Sequence, residues 1–303
     1  MGNILLIFLC LGIGMLFQKM AVFPPLSHKI LNQFVIYVSV PAIALYFIPE
    51  IVITKSLFFP LGIAWIGFGL SYLFFSILQR FLGWSDSLTG CLILTSGLGN
   101  TAFVGFPIVE AFFKEEGLKT AIVVDQPGSF VVLTTVAVWV ATIYSRKTTD
   151  LKTVGKKMIS FPPFIFFLIG LGMNVLGFHF YEEIKIVLEK LAGTVTPLSL
   201  VSVGMQLQFS RYSKHWGFLG LGLLFKLLIT PLFFYVFYVL ILNGKGLEVQ
   251  VSLIQSAMPP MISGAILATM YGLKPKLSNM MVGVGIPLSL ITMFLWYLLI
   301  QTV

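Results

Sequence analysis

Charge is what this chain has least of. Only 10% of its 303 residues are Asp, Glu, Lys or Arg, 58% are hydrophobic, and the mean hydropathy is +1.00. Soluble domains carry about 25% charged residues, so a water-soluble globule is excluded and a polytopic membrane protein is implied. Cysteine is nearly absent too: Cys10 and Cys91 lie in apolar runs with no CxxC or other metal spacing. They read as small packing residues. Asp125 is the only acid well inside an apolar stretch, and no H-E-x-x-H occurs. That argues against a zinc-helix or paired-aspartate intramembrane enzyme, and no cofactor or metal is expected. Met1-Gly2-Asn3 runs into apolar sequence without a basic n-region or A-x-A site, so a retained first helix is expected, not a signal peptide. Lys and Arg outnumber Asp and Glu by 19 to 11. Because they sit between apolar runs, they read as topology signals and not as a nucleic-acid surface.

What is present is apolar length. A membrane span needs roughly 20 residues, and the chain divides into about ten such stretches. They run approximately 4–23, 31–48, 57–82, 87–113, 118–144, 159–178, 184–207, 216–242, 247–271 and 277–300. A basic loop with Arg146, Lys147, Lys152, Lys156 and Lys157 separates the fifth from the sixth. The expected organisation is a first five-helix repeat over 1–145, a cytoplasmic loop over 146–158 and a second, inverted repeat over 159–303. Connections on one side carry twelve Lys and Arg and those on the other six, with Lys226 inside a span completing the nineteen. The positive-inside rule then places both termini outside and the central loop in the cytoplasm of a plasma-membrane protein, where the loop also meets anionic lipid.

The halves echo each other in order. Gly12-Ile13-Gly14-Met15 is matched by Gly170-Leu171-Gly172-Met173, Pro41 by Pro197, and Gly117-Leu118-Lys119 by Gly272-Leu273-Lys274. Five is odd, so two five-span repeats must be inverted, the plan of many secondary transporters. Spans four and nine then correspond, and both are interrupted. The fourth contains Ser96-Gly97-Leu98-Gly99-Asn100-Thr101-Ala102-Phe103-Val104-Gly105-Phe106-Pro107; the ninth contains Ser256-Ala257-Met258-Pro259-Pro260-Met261-Ile262-Ser263-Gly264. Proline removes a donor and clashes with the preceding turn. Polar, glycine-rich backbone at membrane depth is tolerated only where it is buried in protein or lines a cavity. Gly97, Pro107 and Gly264 are therefore assigned as helix-break residues of two broken crossover helices.

Gly99-Asn100-Thr101-Ala102-Phe103-Val104-Gly105-Phe106-Pro107 resembles the fourth-helix signature of the auxin efflux carrier family. Val201–Leu207 and Ala257-Met258-Pro259 are similar to its seventh and ninth helices. That family holds plant auxin exporters and bacterial permeases for small dicarboxylates. The resemblance covers essentially the whole chain and implies a fold shared with bile-acid–sodium symporters. Spans one, two, six and seven would form a scaffold, and spans three to five and eight to ten a transport domain carrying the crossing. Plant exporters have a proline where this chain has Gly99-Asn100-Thr101, which points to the bacterial-type branch.

Half-helix N-termini carry partial positive charge and attract anions. A small organic anion, a carboxylate, is the expected substrate, bound by Gly99, Asn100, Thr101, Ser256, Pro259, Pro260 and Ser263. The competing reading is that the glycines allow close helix packing while Ser and Thr bond back to the backbone. Asp125 lies roughly 10 Å into span five and Lys226 roughly 15 Å into span eight. Either they form an ion pair, or Asp125 titrates in a proton-coupled cycle and Lys226 snorkels. With no acid between Glu248 and the end of the chain, a proton is the favoured coupling ion over sodium, alongside uniport. Phe103 and Phe106 could form an apolar wall. Glu110, Lys114, Glu115 and Glu116 read as a solvated helix end. An anion channel and a ligand-sensing membrane domain reusing the fold are the alternatives to a carrier; a homodimer is left open.

Overall fold

The computed structural model describes residues 2–20, 23–24, 26–52, 54–145, 160–207, 215–301 and 303. The basic loop at Arg146–Lys157 lies outside the described residues. Among those described the chain is all helix, with no strand. We number the helices α1 (Gly2–Lys19), α2 (Ser27–Glu50), α3 (Lys55–Leu82), α4 (Asp86–Gly97), α5 (Gly105–Ser145), α6 (Pro162–Leu176), α7 (Glu182–Gln206), α8 (Trp216–Ile241), α9 (Leu247–Ser256), α10 (Ile262–Met270) and α11 (Pro275–Ile300).

Local chemistry explains the boundaries. Ser85 caps α4 by accepting the Leu88 N–H on its side chain, and Asp86 adds negative charge to the first turn. Gly83 and Gly177 end α3 and α6 with φ of 63° and 65°, the left-handed conformation that costs glycine least. Proline opens α6 and α11, where a missing N–H is harmless.

Six helices (α2, α3, α5, α7, α8 and α11) are long and apolar enough to cross a membrane. This is fewer than the ten stretches expected. Stretch four is cut into α4 and the start of α5, stretch nine into the short helices α9 and α10, and α1 and α6 are shorter apolar helices. Stretch five is merged into α5, 41 residues long, but α5 is not straight. Lys114 has φ 59° and ψ −158°, and the chain doubles back there. At 1.5 Å rise per residue, a straight helix would set Thr101 and Asp125 more than about 30 Å apart. Instead, the Thr101 hydroxyl donates to Asp125 Oδ1 at 2.6 Å.

Apolar side chains such as Phe81 and Leu176, each 83% exposed, cover the outside. In water such a surface would be an aggregation hazard; against acyl chains it is the solvent-matched one. Small residues let the helices meet inside. A Cβ on Gly14 of α1 would lie 2.8 Å from Gly204 Cα of α7, and one on Gly170 of α6 would lie 3.0 Å from the Ala44 carbonyl of α2. Gly12 and Gly172 have open space instead, so each glycine pair uses only one member for packing. Cys10 and Cys91 are buried and free.

Candidate functional site

Where α4 stops at Gly97 and α9 stops at Ser256, each chain runs extended for a few residues before the next helix begins. The two extended segments lie antiparallel, with Gly99 opposite Pro260. Asn100 N–H donates to the Pro259 carbonyl at 2.8 Å, and Met261 N–H donates to the Leu98 carbonyl at 3.0 Å. Breaking a helix frees backbone groups that no water at membrane depth can satisfy. Here each break supplies the partner the other needs. The prolines help, since neither presents an N–H that would be left over.

The fit is close. A Cβ on Gly285 of α11 would lie 2.7 Å from Pro260 Cδ, and one on Gly264 would lie 3.0 Å from Leu98 Cδ1. Gly97 ends α4 against Phe68 and Ser71. Helix α5 restarts because the Asn100 side-chain oxygen accepts the Phe103 N–H at 3.2 Å while its carbonyl accepts Gly105 N–H at 3.0 Å. Pro107 sits in the first turn of α5, where its missing donor costs little. The three helix-break residues thus flank the two interruptions.

Beside the paired breaks lies a cavity of about 160 Å³. Its polar lining is Asn100, Asp125, Gln126 and Ser263; the rest is apolar and includes Val40, Phe103, Phe130, Phe161 and Met261. Phe130 and Phe161 stack at 4.2 Å between ring centres. Of the seven residues expected to bind substrate, Asn100 and Ser263 line the cavity. The Thr101 hydroxyl is taken by Asp125, the Ser256 hydroxyl donates to the Leu253 carbonyl of its own helix at 2.6 Å, and Gly99, Pro259 and Pro260 form the junction. Of the two aromatic candidates, Phe103 lines the cavity and Phe106 is fully buried elsewhere.

Asp125 and Lys226 do not form an ion pair, one of the two readings the sequence left open. Asp125 accepts from Thr101 on one oxygen and from Gln126 Nε2 at 2.6 Å on the other. Lys226 Nζ donates to the Ser256 carbonyl at 3.1 Å, and it does not snorkel, since only 4% of the residue is exposed. The two charges approach the breaks from different helices and find different partners. Both sit in π-helical turns, Val124–Phe130 and Phe225–Ile229, a local widening often found at functional sites.

Three buried side-chain atoms near the junction have no hydrogen-bond partner: Asn100 Nδ2, Gln126 Oε1 and Gln255 Oε1. Buried polar groups are normally satisfied; of the three residues, Asn100 and Gln126 line the cavity and Gln255 does not. The backbone N–H groups of Ile262, Ser263 and Gly264, at the start of α10, also find no acceptor among the described residues. Gln126 and Gln255 were poorly legible as a site in advance; their only signal was an amide at membrane depth beside Asp125 and Ser256. Glu110 differs from the expected solvated helix end: it is only partly exposed and accepts a hydrogen bond from the Thr196 hydroxyl of α7. Lys114, Glu115 and Glu116 are exposed.

A helical chain with an apolar exterior and interrupted helices beside a cavity that holds a few polar groups is the form of a membrane transporter. Comparison with known proteins agrees. Residues 1–297 match the family model described as "Membrane transport protein", and the chain belongs to that family, the auxin efflux carrier family. It is 30% identical over 306 residues to an uncharacterized transporter of Methanocaldococcus jannaschii, covering 98% of this chain and 97% of that one. It is 29% identical over 217 residues to an uncharacterized transporter of Methanothermobacter thermautotrophicus, covering 71% and 69% respectively.

Proposed function

We propose that the protein is a secondary transporter that moves small carboxylates across the plasma membrane by alternating access. In this reading the helices amount to ten spans in two inverted halves, with α4 and the first arm of α5 forming one crossover and α9 and α10 the other. The swapped glycine contacts support that plan, because α1 on α7 and α6 on α2 are mates under such an inversion. Both termini lie outside and the basic loop lies in the cytoplasm.

The observation that carries the proposal is the Asn100 amide, buried, without a partner on Nδ2, and lining a cavity onto which the first turn of α10 opens. Side-chain and backbone N–H donors at a helix start together make an anion site. The apolar walls suit the rest of a small organic acid. Asp125 lines the same cavity, so a substrate carboxylate would meet a second carboxylate in a small space. Two such groups cannot both stay ionised, and the proposed cycle carries one proton with each anion. The reading is tested by a thermal-shift screen of small carboxylates with Asn100→Ala as control, followed by counterflow in proteoliposomes. Selective stabilisation of the wild type and saturable counterflow support it. Unsaturable current would make the protein a channel, and full, still pH-sensitive transport by Asp125→Asn would end the proton role.

A further inference from the structure

Lys226 is a buried cation without a carboxylate partner among the described residues, and its place follows from the two prolines. In an uninterrupted helix the carbonyls of Gln255 and Ser256 would accept from the N–H groups of residues 259 and 260. Both positions are proline and have none. The Met258 N–H turns back to the Gln255 carbonyl at 3.4 Å. The Ser256 carbonyl receives the Lys226 ammonium instead, at 3.1 Å. The last carbonyls of α9 also carry the negative end of its dipole. Room for the ammonium comes from across the junction: a Cβ on Gly99 would lie 3.2 Å from Nζ and 3.6 Å from Cε. The helix that delivers the lysine is adjusted as well. Pro231 deprives the Leu227 carbonyl of its donor, and Trp296 Nε1 supplies one at 3.0 Å.

In transporters with broken helices, the carbonyl end of a half-helix and the unwound backbone beside it are where a coupling cation is coordinated. We infer that Lys226 is a tethered cation in that position: its ammonium does at the end of α9 what a freely exchanging monovalent ion would otherwise do, so the junction holds without sodium. The inference concerns the junction alone and stands or falls independently of the substrate.

The test is the unfolding temperature of the purified full-length protein in choline, sodium or n-propylammonium chloride at matched ionic strength. The wild type is expected to show the same value in choline and in sodium. Lys226→Ala is expected to fall by several degrees in choline and to recover most of that loss in n-propylammonium, which supplies the atoms the truncation removes. Lys226→Met, which fills the space without charge, is expected to stay folded at a lower temperature that no cation restores. A saturable stabilisation of the wild type by sodium would overturn the inference, as would a Lys226→Ala protein that responds equally to choline and n-propylammonium. If Lys226→Ala does not fold, Lys226→Met decides: a stability equal to the wild type refutes the tethered cation, and a loss that persists in every salt supports it.

Discussion

The two faces of the paired breaks are finished differently. On the face toward Lys226 the orphaned Ser256 carbonyl has an ammonium, the glycines are filled by neighbours, and Gly285 admits the Pro260 ring. On the cavity face Asn100 Nδ2, Gln126 Oε1 and the first-turn N–H groups of Ile262, Ser263 and Gly264 find no partner among the described residues. An unsatisfied buried polar atom costs about 1–3 kcal/mol. The proposed binding site lies on the face that is left open.

That contrast can be broken at several points. The largest effect is expected for Asn100→Ala. Losing one hydrogen bond to a carboxylate costs about 1.5–3 kcal/mol, or roughly 10–100-fold in affinity. The check is the apparent Kd of whichever carboxylate the thermal-shift screen selects, with a much smaller change in unfolding temperature. Gly285→Ala acts on the packed face. Its new methyl would meet Pro260 Cδ at 2.7 Å, and overpacking of this kind costs about 1–3 kcal/mol. Denaturant unfolding should show the loss, together with weakened binding because the junction shifts.

Asp125→Asn is expected to change stability by less than about 1 kcal/mol. Its carbonyl can still accept from Thr101, and the Gln126 amide can rotate to offer the oxygen that is now unpartnered. Transport by this variant should lose its pH response, read as flux against external pH in proteoliposomes. The smallest effects separate two serines. Ser263→Ala, on the cavity, should weaken carboxylate binding a few-fold. Ser256→Ala should leave binding unchanged, because that hydroxyl serves only its own helix.

Much of this was legible in the linear chain. Apolar runs with few charges left no alternative to a helical membrane protein. The glycine–asparagine stretch at 97–107 and the double proline at 259–260 marked the two interruptions, since no continuous helix accommodates them. Asn100 could be singled out because an amide at membrane depth needs a reason. The partners were not legible. Asp125 and Lys226, the two charges well inside apolar stretches, left an ion pair and a titrating Asp125 equally open. Sequence spacing carries no information on which carbonyl a proline elsewhere has stripped of its donor, and that vacancy is what Lys226 fills. Asn174, whose amide donates to the carbonyls of Ile48, Pro49 and Ile51 at the end of α2, was overlooked for the same reason.

Composition and hydropathy alone therefore determined the solvent, the helical class and the places where helices must stop, because those depend on local backbone chemistry and on the cost of charge in lipid. The tertiary structure alone decided that the two stops pair with each other, that Lys114 folds α5 back to bring Thr101 to Asp125, and that the cavity opens beside Asn100 and not beside Lys226. These are long-range satisfactions of groups whose need is local but whose partner lies up to about 160 residues away along the chain, as from Asn100 to Pro259.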